Sequence, residues 1–499
     1  MGSGERYDVV IRGGTIYEGT GAPGVRADVG VRGDRIAAVG VIGERGGVEL
    51  DASTLAVSPG FVDVHSHDDF AVLLEPQMAF KVMQGVTTDV VGNCGSGVVP
   101  FEAALKRFRR MSPGAEPPRW DNFTGYLARV NEAAPSCNVA VLIGHGSLRH
   151  GAMGLDQRAP TASELDRMRA STREGVEAGA VGLSTGLIYE PGRYARTEEV
   201  IALARELASG GGLYATHMRG EGDGLLDAVA EAIRIGEEAG VPVQISHHKA
   251  AGRNNWGRVR DSLRLIEQAR ARGLDVTADQ YPYTAGSTSL HAVVQNGAFR
   301  ADSPGGLGRL SADDVLIASA PGHPEWEGLR LVELAARWGV GDEAAALRVI
   351  EVEGEACFVV VFSMDEADVR TVMAHPTTMI GSDGVPAAGS KPHPRLYGCF
   401  PRVLGHYSRD ERVLDLPTAI HRMTGMPAAK FRLVDRGVIR PGAFADLVIF
   451  DPSRIRDAAT YEDPRRFPEG IRAVYVNGIA VARDGRHTGA RPGRALRRG

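Results

Sequence analysis

The middle of the chain repeats one pattern eight times, and this repetition constrains the fold more than any other feature. Short apolar runs rich in β-branched residues alternate with amphipathic or loop-forming stretches, and the runs cover residues 61–67, 87–94, 139–145, 181–185, 213–217, 241–247, 275–279 and 378–383. Strands that alternate with helices in this way form parallel sheets. The pattern therefore predicts an α/β fold, a (β/α)8 TIM-type barrel. A doubly wound open sheet is disfavoured because no glycine-rich phosphate-binding turn follows the first run.

Both ends of the chain read as short strands separated by glycine-containing turns. The predicted strands cover residues 7–11, 29–32, 36–39, 446–450 and 473–476. Neither end has enough strands for a stable sheet by itself. We therefore expect residues 1–58 and 420–499 to meet in one small β-sandwich domain, with the barrel of residues 59–419 between them.

The connection between the seventh and eighth runs is much longer than the others, and it extends from Thr284 to Pro376. Long connections in compact domains usually serve a function. We expect a lid or insertion at about residues 284–350, over the mouth of the barrel. A peripheral helical subdomain is an equal alternative.

Composition excludes several classes of function. The 499 residues carry a formal net charge of only −5, which gives no reason to expect a nucleic-acid or membrane-surface partner. No apolar run is long enough to cross a bilayer, and the first residues do not resemble a secretory signal, so a cytoplasmic location is expected. The basic residues 491–498 are expected to form a solvated tail. The oligomeric state is left open.

Histidines fall at the ends of the predicted barrel strands. His65 and His67 close the first run, His217 closes the fifth and His247 closes the sixth. Active sites of such barrels lie at these carboxyl ends, and residues two apart on a strand share a face. Cys94 closes the second run in the sequence Gly-Asn-Cys-Gly. Imidazole and thiolate donors together suit zinc. These residues predict a metal site, although a single histidine or cysteine here would more often be structural.

Asp383 ends the eighth run in the sequence Gly-Ser-Asp-Gly. A carboxylate beside a metal-activated water can take its proton and pass it to a leaving group. An aspartate before glycine is also a common loop cap, but the position at the barrel rim favours a catalytic role.

Several motifs resemble known enzymes. FVDVHSH at 61–67, GSDG at 381–384 and RPGAFADLV at 440–448 resemble the amidohydrolase superfamily. Further motifs make the chain similar to the D-aminoacylase (N-acyl-D-amino-acid deacylase) family: GNCG at 92–95, GLSTGL at 182–187, THMR at 216–219, ISHHK at 245–249, YPY at 281–283, AGST at 285–288 and HPR at 393–395. The match covers nearly the whole chain in order.

The resemblance implies the metal ligands and the reaction. Cys94, His217 and His247 would hold one tightly bound zinc, and His65 and His67 would serve a second, weaker position that shares Cys94. The enzyme would hydrolyse the amide bond of an N-acyl-D-amino acid, and the preference for the D-form comes from the resemblance alone. The β-sandwich from both termini and the lid are also features of the family.

The resemblance also implies roles for residues around the metal. Asp383 would act as base and then as acid, and Lys249, Tyr281 and Arg395 would hold the carboxylate of the substrate. Tyr189 is expected to line the pocket for the acyl group or the side chain. The preferred side chain and acyl group are left open.

Some residues keep two interpretations. Tyr283 lies two positions after Tyr281 and could replace it, and His145 either lines the site or packs in the core. His248 is expected to point away from the metal because it is adjacent to His247.

Two other functions remain as alternatives. Cyclic-amide hydrolases, such as hydantoinase and dihydroorotase, share the barrel, but they bridge two metals with a carboxylated lysine on the fourth strand, where this chain has none. A non-catalytic metal-binding homologue is the other alternative.

Overall fold

The computed structural model describes residues 7–111, 116–295, 298–299, 307–386 and 390–499. Residues 1–6 of the expected N-terminal segment, and residues 296–297 and 300–306 of the expected lid, lie outside the described residues. The strands in chain order are β1 (Tyr7–Ile16), β2 (Val25–Arg32), β3 (Arg35–Gly40), β4 (Gly46–Asp51), β5 (Ala56–Pro59), β6 (Phe61–Asp63), β7 (Val86–Val91), β8 (Asn138–Gly144), β9 (Gly182–Gly186), β10 (Leu213–His217), β11 (Val243–Ile245), β12 (Val276–Gln280), β13 (Gly286–Ser289), β14 (Val294–Gln295), β15 (Ala298–Phe299), β16 (Val315–Ser319), β17 (Phe358–Val361), β18 (Thr378–Ile380), β19 (Leu447–Phe450), β20 (Ile471–Val476), β21 (Ile479–Arg483) and β22 (Arg486–His487).

Helices connect these strands. They are α1 (Ala71–Leu74), α2 (Ala79–Val82), α3 (Phe101–Met111), α4 (Phe123–Ala133), α5 (His145–Met153), α6 (Ala162–Ala178), α7 (Thr197–Ala204), α8 (Leu225–Ala239), α9 (Val259–Ala271), α10 (Leu290–Val293), α11 (Leu331–Trp338), α12 (Asp342–Glu353), α13 (Glu366–Ala374), α14 (Arg395–Arg402), α15 (Leu416–Met423) and α16 (Gly425–Lys430). The described part of the chain contains no helix with the length and apolarity that a membrane span requires.

The predicted barrel is confirmed. Strands β6 to β12 and β18 form one parallel sheet in the order β18-β12-β11-β10-β9-β8-β7-β6. Every residue of β7, β8 and β10 is buried, as expected for parallel strands that are covered on both faces. Strand β6 ends at Asp63 and β11 at Ile245, earlier than predicted, so several candidate ligands lie in the loops just beyond the strands.

Strands from the two ends of the chain meet in one sheet, which confirms that both termini build the small β-domain predicted as a β-sandwich. Strand β5 pairs antiparallel with β19, and β1 to β4 and β20 to β22 extend the sheet on either side. Apolar residues of β1, β2 and β19 share one core that includes Ile11, Val29 and Ile449. The boundaries drawn at residues 58–59 and 419–420 stay a prediction.

The long connection between β12 and β18 folds as a mixed unit rather than as a purely helical one. Strands β13, β17 and β16 form its sheet, and α11 and α12 pack against each other beside it. Its core includes Leu331, Val349 and Val359 and is separate from the core of the barrel. The unit continues to Val361, beyond the predicted limit near residue 350. Its movement as a lid stays a prediction.

The basic C-terminal segment is not a solvated tail, so that expectation is wrong. Val139 of β8 donates from its backbone N–H to the carbonyl of Arg494 (2.9 Å), and its own carbonyl accepts from Leu496 (2.7 Å). The Leu496 side chain is buried in an apolar cluster that reaches the amino ends of the barrel strands, since the cluster includes Val181, directly before β9, and Leu213, the first residue of β10. The segment therefore closes this end of the barrel through its backbone and one apolar side chain.

Candidate active site

Three candidate residues at the carboxyl ends of the strands have an unusual backbone conformation. Cys94, His247 and Asp383 have φ angles of +53°, +35° and +49°, in the left-handed region that few residues other than glycine adopt. Such conformations cost free energy and persist only where the surrounding structure holds them. The three side chains are therefore directed by loops with little freedom.

Close packing around the Cys94 loop explains the glycines of the two neighbouring motifs. A Cβ atom on Gly186, at the end of β9, would lie only 2.2 Å from the Cys94 carbonyl oxygen. Gly95 has a φ of +72°, and its N–H donates to Ser184 Oγ (3.1 Å). The Cys94 loop and strand β9 can approach this closely only because Gly95 and Gly186 have no side chains.

Cys94, His217 and His247 converge at the centre of this end of the barrel. Cys94 Sγ lies 3.7 Å from His217 Nδ1 and 3.6 Å from His247 Nε2, and all three residues are buried. Tetrahedral Zn–S and Zn–N bonds of about 2.3 and 2.05 Å place sulfur and nitrogen about 3.6 Å apart. The spacing and the donor types therefore fit a zinc ion.

His65 and His67 extend the cluster on the other side of the thiol. His65 Nε2 lies 3.3 Å from Cys94 Sγ, and the ligand atoms of His65, His67 and Cys94 lie within 4.8 Å of one another. Burial by itself raises the pKa of the Cys94 thiol, but His65 and hydrogen bonds from His217 and His247 lower it to well below its usual value. A thiolate between two sets of imidazoles can serve two metal positions.

Asp383 lies at the edge of the cluster and is paired with Arg395. Its Oδ1 atom is 3.1 Å from His67 Nε2, and its Oδ2 atom is 2.8 Å from Arg395 Nη1. Burial raises the pKa of Asp383, whereas Arg395 and His247 lower it further, so that it stays well below its usual value. The carboxylate is therefore ionised and able to accept a proton.

Glu221 links a candidate metal ligand to a candidate substrate contact, and the sequence analysis missed it. Its Oε1 atom lies 2.8 Å from His247 Nδ1 and accepts from Lys249 Nζ (2.5 Å). Carboxylates that accept from the outer nitrogen of a metal-bound histidine fix the orientation of its ring. The one signal in the sequence is its position four residues after His217, and nothing there indicates the contact with Lys249.

Asp279 at the seventh strand was also missed as a site residue. Its Oδ1 atom accepts from the backbone N–H of His247 (2.8 Å) and lies 3.3 Å from His65 Nδ1. A single buried carboxylate therefore holds elements of both candidate metal positions.

Tyr281 lies close to both cations that were predicted to hold a carboxylate. The guanidinium of Arg395 lies 4.4 Å from the centre of its ring, and Lys249 Nζ lies 5.8 Å from it. Arg395 is fully buried, and its Nε atom has no hydrogen-bond partner among the described residues. Two buried cations around one tyrosine can bind an anion beside the metal ligands.

Tyr189 joins the site to the insertion. Its ring packs against that of His217 at 4.9 Å, and its hydroxyl lies 3.4 Å from Thr288 Oγ1 on β13. Arg395 also reaches β13, because its Nη2 donates to the carbonyl of Ser287 (3.4 Å). The beginning of the insertion therefore borders the site.

Three other residues lie outside the cluster. His145 Nε2 pairs with Glu199 (2.9 Å), and His248 Nε2 pairs with Ser262 (2.8 Å), so both have structural partners. Tyr283 packs beneath Arg402, whose guanidinium lies 4.9 Å from the ring centre, rather than beneath Arg395. Tyr281 is therefore the better candidate of the two tyrosines.

Comparison with known proteins gives matches over nearly the whole chain. The model of the amidohydrolase family matches residues 48–482. A D-aminoacylase from Alcaligenes xylosoxydans xylosoxydans is 43% identical over 99% of this chain and 98% of its own length. An N-acyl-D-aspartate deacylase from the same organism is 42% identical over 98% of this chain and 95% of its own length.

A solved structure agrees with these relatives. It is an N-acyl-D-glutamate deacylase from Bordetella bronchiseptica, complexed with zinc and a phosphonate inhibitor that mimics the tetrahedral intermediate of the reaction. It superposes with a TM-score of 0.89 at 41% identity, and the match covers 99% of this chain and all of that one. The matched region therefore includes the barrel, the insertion and the terminal sheet.

Proposed function

This chain belongs to the amidohydrolase family and, within it, to the D-aminoacylase family, and on that premise we propose that it hydrolyses the amide bond of N-acyl-D-amino acids. The products are a carboxylate and a D-amino acid. The observation that carries the proposal is the pair of buried cations, Lys249 and Arg395, that both lie close to the ring of Tyr281 and beside the candidate metal ligands.

We propose zinc as the cofactor, because the thiol and imidazole donors match its preferences. Cys94, His217 and His247 would hold a tight ion, and His65 and His67 would complete a second, weaker position that shares Cys94. When bound, the metal would supply Lewis acidity, which polarises the amide carbonyl and makes water a better nucleophile. Glu221 and Asp279 would orient the histidines.

The free carboxylate of the substrate distinguishes a deacylase from a general amidase. Arg395 offers a planar fork of donors and Lys249 a point charge, and the Tyr281 hydroxyl can add a third hydrogen bond. An anion held by these groups lies next to the candidate metal ligands, because Lys249 Nζ is 2.8 Å from His247 Nδ1. The scissile amide of an N-acyl amino acid is then held at the metal ligands.

Asp383 performs the proton transfers in this proposal. Its ionised carboxylate takes a proton from the attacking water and gives it to the nitrogen of the departing amine, so that the C–N bond breaks with a neutral leaving group. Arg395 and His67 hold the two carboxylate oxygens in place while the proton is absent.

The side chain of the substrate is left open within this class. Relatives named for D-amino acids, D-aspartate and D-glutamate are 43%, 42% and 41% identical to this chain, so identity does not separate them. Tyr189 lies where it would border the acyl group or the side chain. No observation favours a cyclic amide, since β9 carries no lysine.

The test compares acid and amide substrates with variants of Arg395. Arg395→Lys keeps the positive charge but loses the planar pair of N–H donors, so it should raise KM for N-acetyl-D-amino acids. Arg395→Ala should lower kcat/KM by a factor equivalent to about 2–5 kcal/mol of transition-state free energy. Both losses should be clearly smaller for substrates whose carboxylate is replaced by an amide, and the loss that remains there reflects the contact of Arg395 with Asp383. Arg402→Lys is the matched control, since Arg402 also packs on a tyrosine, and it should leave KM unchanged.

Equal losses on acid and amide substrates would show that Arg395 acts through Asp383 or the fold rather than on the carboxylate of the substrate. Release of free amine from the L-forms at the same rate as from the D-forms would contradict the proposed stereochemistry.

A further inference from the structure

The barrel closes between its first and last strands without a regular ladder of hydrogen bonds. In the described part of the chain β6 pairs with β7 and β18 pairs with β12, and no pairing joins β6 to β18. The loops beyond them close the gap instead, since Asp383 donates from its backbone N–H to the His65 carbonyl (2.7 Å) and His67 donates to the Gly384 carbonyl (3.0 Å). The closure therefore falls where His65, His67 and Asp383 meet.

Asp63 holds the two sides of this closure together. Its Oδ1 atom accepts from the backbone N–H of Ser382 (2.8 Å) and from that of His65 (3.2 Å). Its Oδ2 atom accepts from the Ser382 hydroxyl (2.6 Å). One carboxylate thus fixes the residue before Asp383 and the backbone of His65 at the same time.

Lys81 on α2 completes the arrangement. Its ammonium group donates to Asp63 and to Ser382 Oγ (3.0 Å), and it lies 3.0 Å from Asp68 Oδ2 and 3.7 Å from Asp89 Oδ1. These side chains are fully buried. Burial lowers the pKa of Lys81, but Asp63, Asp68 and Asp89 raise it to well above its usual value, so the lysine stays charged.

We propose that Asp63, Lys81 and Ser382 are positioning residues that hold Asp383 at its distance from His65 and His67. The inference rests on the proposed role of Asp383 in proton transfer. The Ser382 hydroxyl anchors the backbone on both sides of Asp383, because it donates to Asp63 and accepts from the N–H of Gly384 (3.0 Å). Asp383 lies between these two anchored residues, and this explains how its left-handed backbone is maintained.

The experiment removes one hydroxyl and compares it with a matched hydroxyl elsewhere. Ser382→Ala should lower kcat on the order of 10- to 100-fold, because an error of about 1 Å in the placement of a reacting group has an effect of that size. KM and the zinc content should not change. The control is Ser262→Ala, since Ser262 is equally buried and bonds His248 and the Val259 carbonyl, away from the closure.

A double variant separates positioning from general destabilisation. In an Asp383→Asn background, Ser382→Ala should reduce the residual rate no further, because its effect passes through Asp383. A further drop of the same factor would overturn the proposal, as would a kcat for Ser382→Ala equal to that of Ser262→Ala. If Ser382→Ala is insoluble, Ser382→Cys keeps the shape of the side chain with a slightly larger atom, weakens the hydrogen bonds and should also lower kcat.

The outcomes also separate this inference from the proposed function. Near-normal turnover in Asp383→Asn alone would remove the proposed proton transfer, and the positioning role with it. A large loss in Asp383→Asn, together with wild-type kcat in Ser382→Ala, would remove the positioning role only.

Discussion

The two ends of the barrel are built from the same strands and bury opposite kinds of side chains. At the carboxyl ends the buried groups include Cys94, His247, Asp383 and Arg395, and each has a charged or candidate metal-ligating neighbour. At the amino ends the buried groups are apolar and include Val181, directly before β9, Leu213, the first residue of β10, and Leu496.

The difference shows how the molecule divides stability from chemistry. Buried polar groups contribute little net stability and need partners, whereas buried apolar groups stabilise in proportion to their area. Substitutions at either end should lower stability, since removing one partner of a buried charge pair leaves the other charge unpaired. Only those at the carboxyl ends should also change metal content or turnover. The following predictions test this division, beginning with the largest effect.

Cys94→Ala should abolish activity by removing a ligand from both metal positions. Metal analysis of the purified protein should fall from about one tightly held zinc per chain to almost none, as expected when one of three protein ligands is lost. Cys357→Ala, at a buried cysteine in the core of the insertion, is the control and should keep its metal. Full zinc occupancy in Cys94→Ala would show that the thiol is not a ligand.

Asp383→Asn should keep its zinc and lose roughly two to four orders of magnitude in kcat, because an amide cannot take up the proton. The melting temperature should also fall, because the buried Arg395 loses its counter-charge. Asp368→Asn is the control, since Asp368 accepts from Gly257 away from the metal ligands. A kcat close to that of the wild type would mean that another group moves the proton.

Glu221→Gln should weaken zinc binding by roughly 10- to 100-fold, which is typical when the partner of a ligating histidine is lost. Competition with a chelator measures this directly. Glu199→Gln is the matched control and should keep its zinc affinity. Glu199 is also buried between a histidine and a cation, His145 and Arg149. Equal zinc affinities in the two variants would assign Glu221 to the fold alone.

Leu496→Ala tests the other end of the barrel. Loss of a buried leucine should destabilise the protein by about 2 kcal/mol and lower its melting temperature, with kcat and zinc content unchanged. Leu347→Ala, at a leucine that is 41% exposed, should have little effect on either quantity. A fall in kcat without a fall in melting temperature would break the division between the two ends.

Local patterns in the sequence were sufficient for the barrel and for the convergence of the candidate metal ligands. His65, His67 and Cys94 follow apolar runs directly, and the carboxyl ends of parallel strands meet at one edge, so their convergence could be expected. The lengths of the strands were less accurate, because side chains in the loops beyond β6 and β11 are as buried as those in the strands.

Contacts between distant segments could not be predicted. Glu221 meets Lys249, and Asp63 meets Lys81, only because the fold brings separate elements together, and an acidic residue alone in a sequence is usually a solvated one. Leu496 was missed for the same reason, since a single apolar residue among arginines gives no periodic pattern and backbone hydrogen bonds have no signature in composition.

The chain enters and leaves the barrel region at neighbouring points. The N–H of Gly60, directly after β5, donates to the carbonyl of Asp446, directly before β19 (2.8 Å). A segment whose two ends lie side by side meets the geometric condition for the insertion of one domain into another, and for circular permutation. Exchange of the barrel between relatives at these two points would keep the pairing of β5 with β19, but it would also need a barrel that accepts the C-terminal segment at β8.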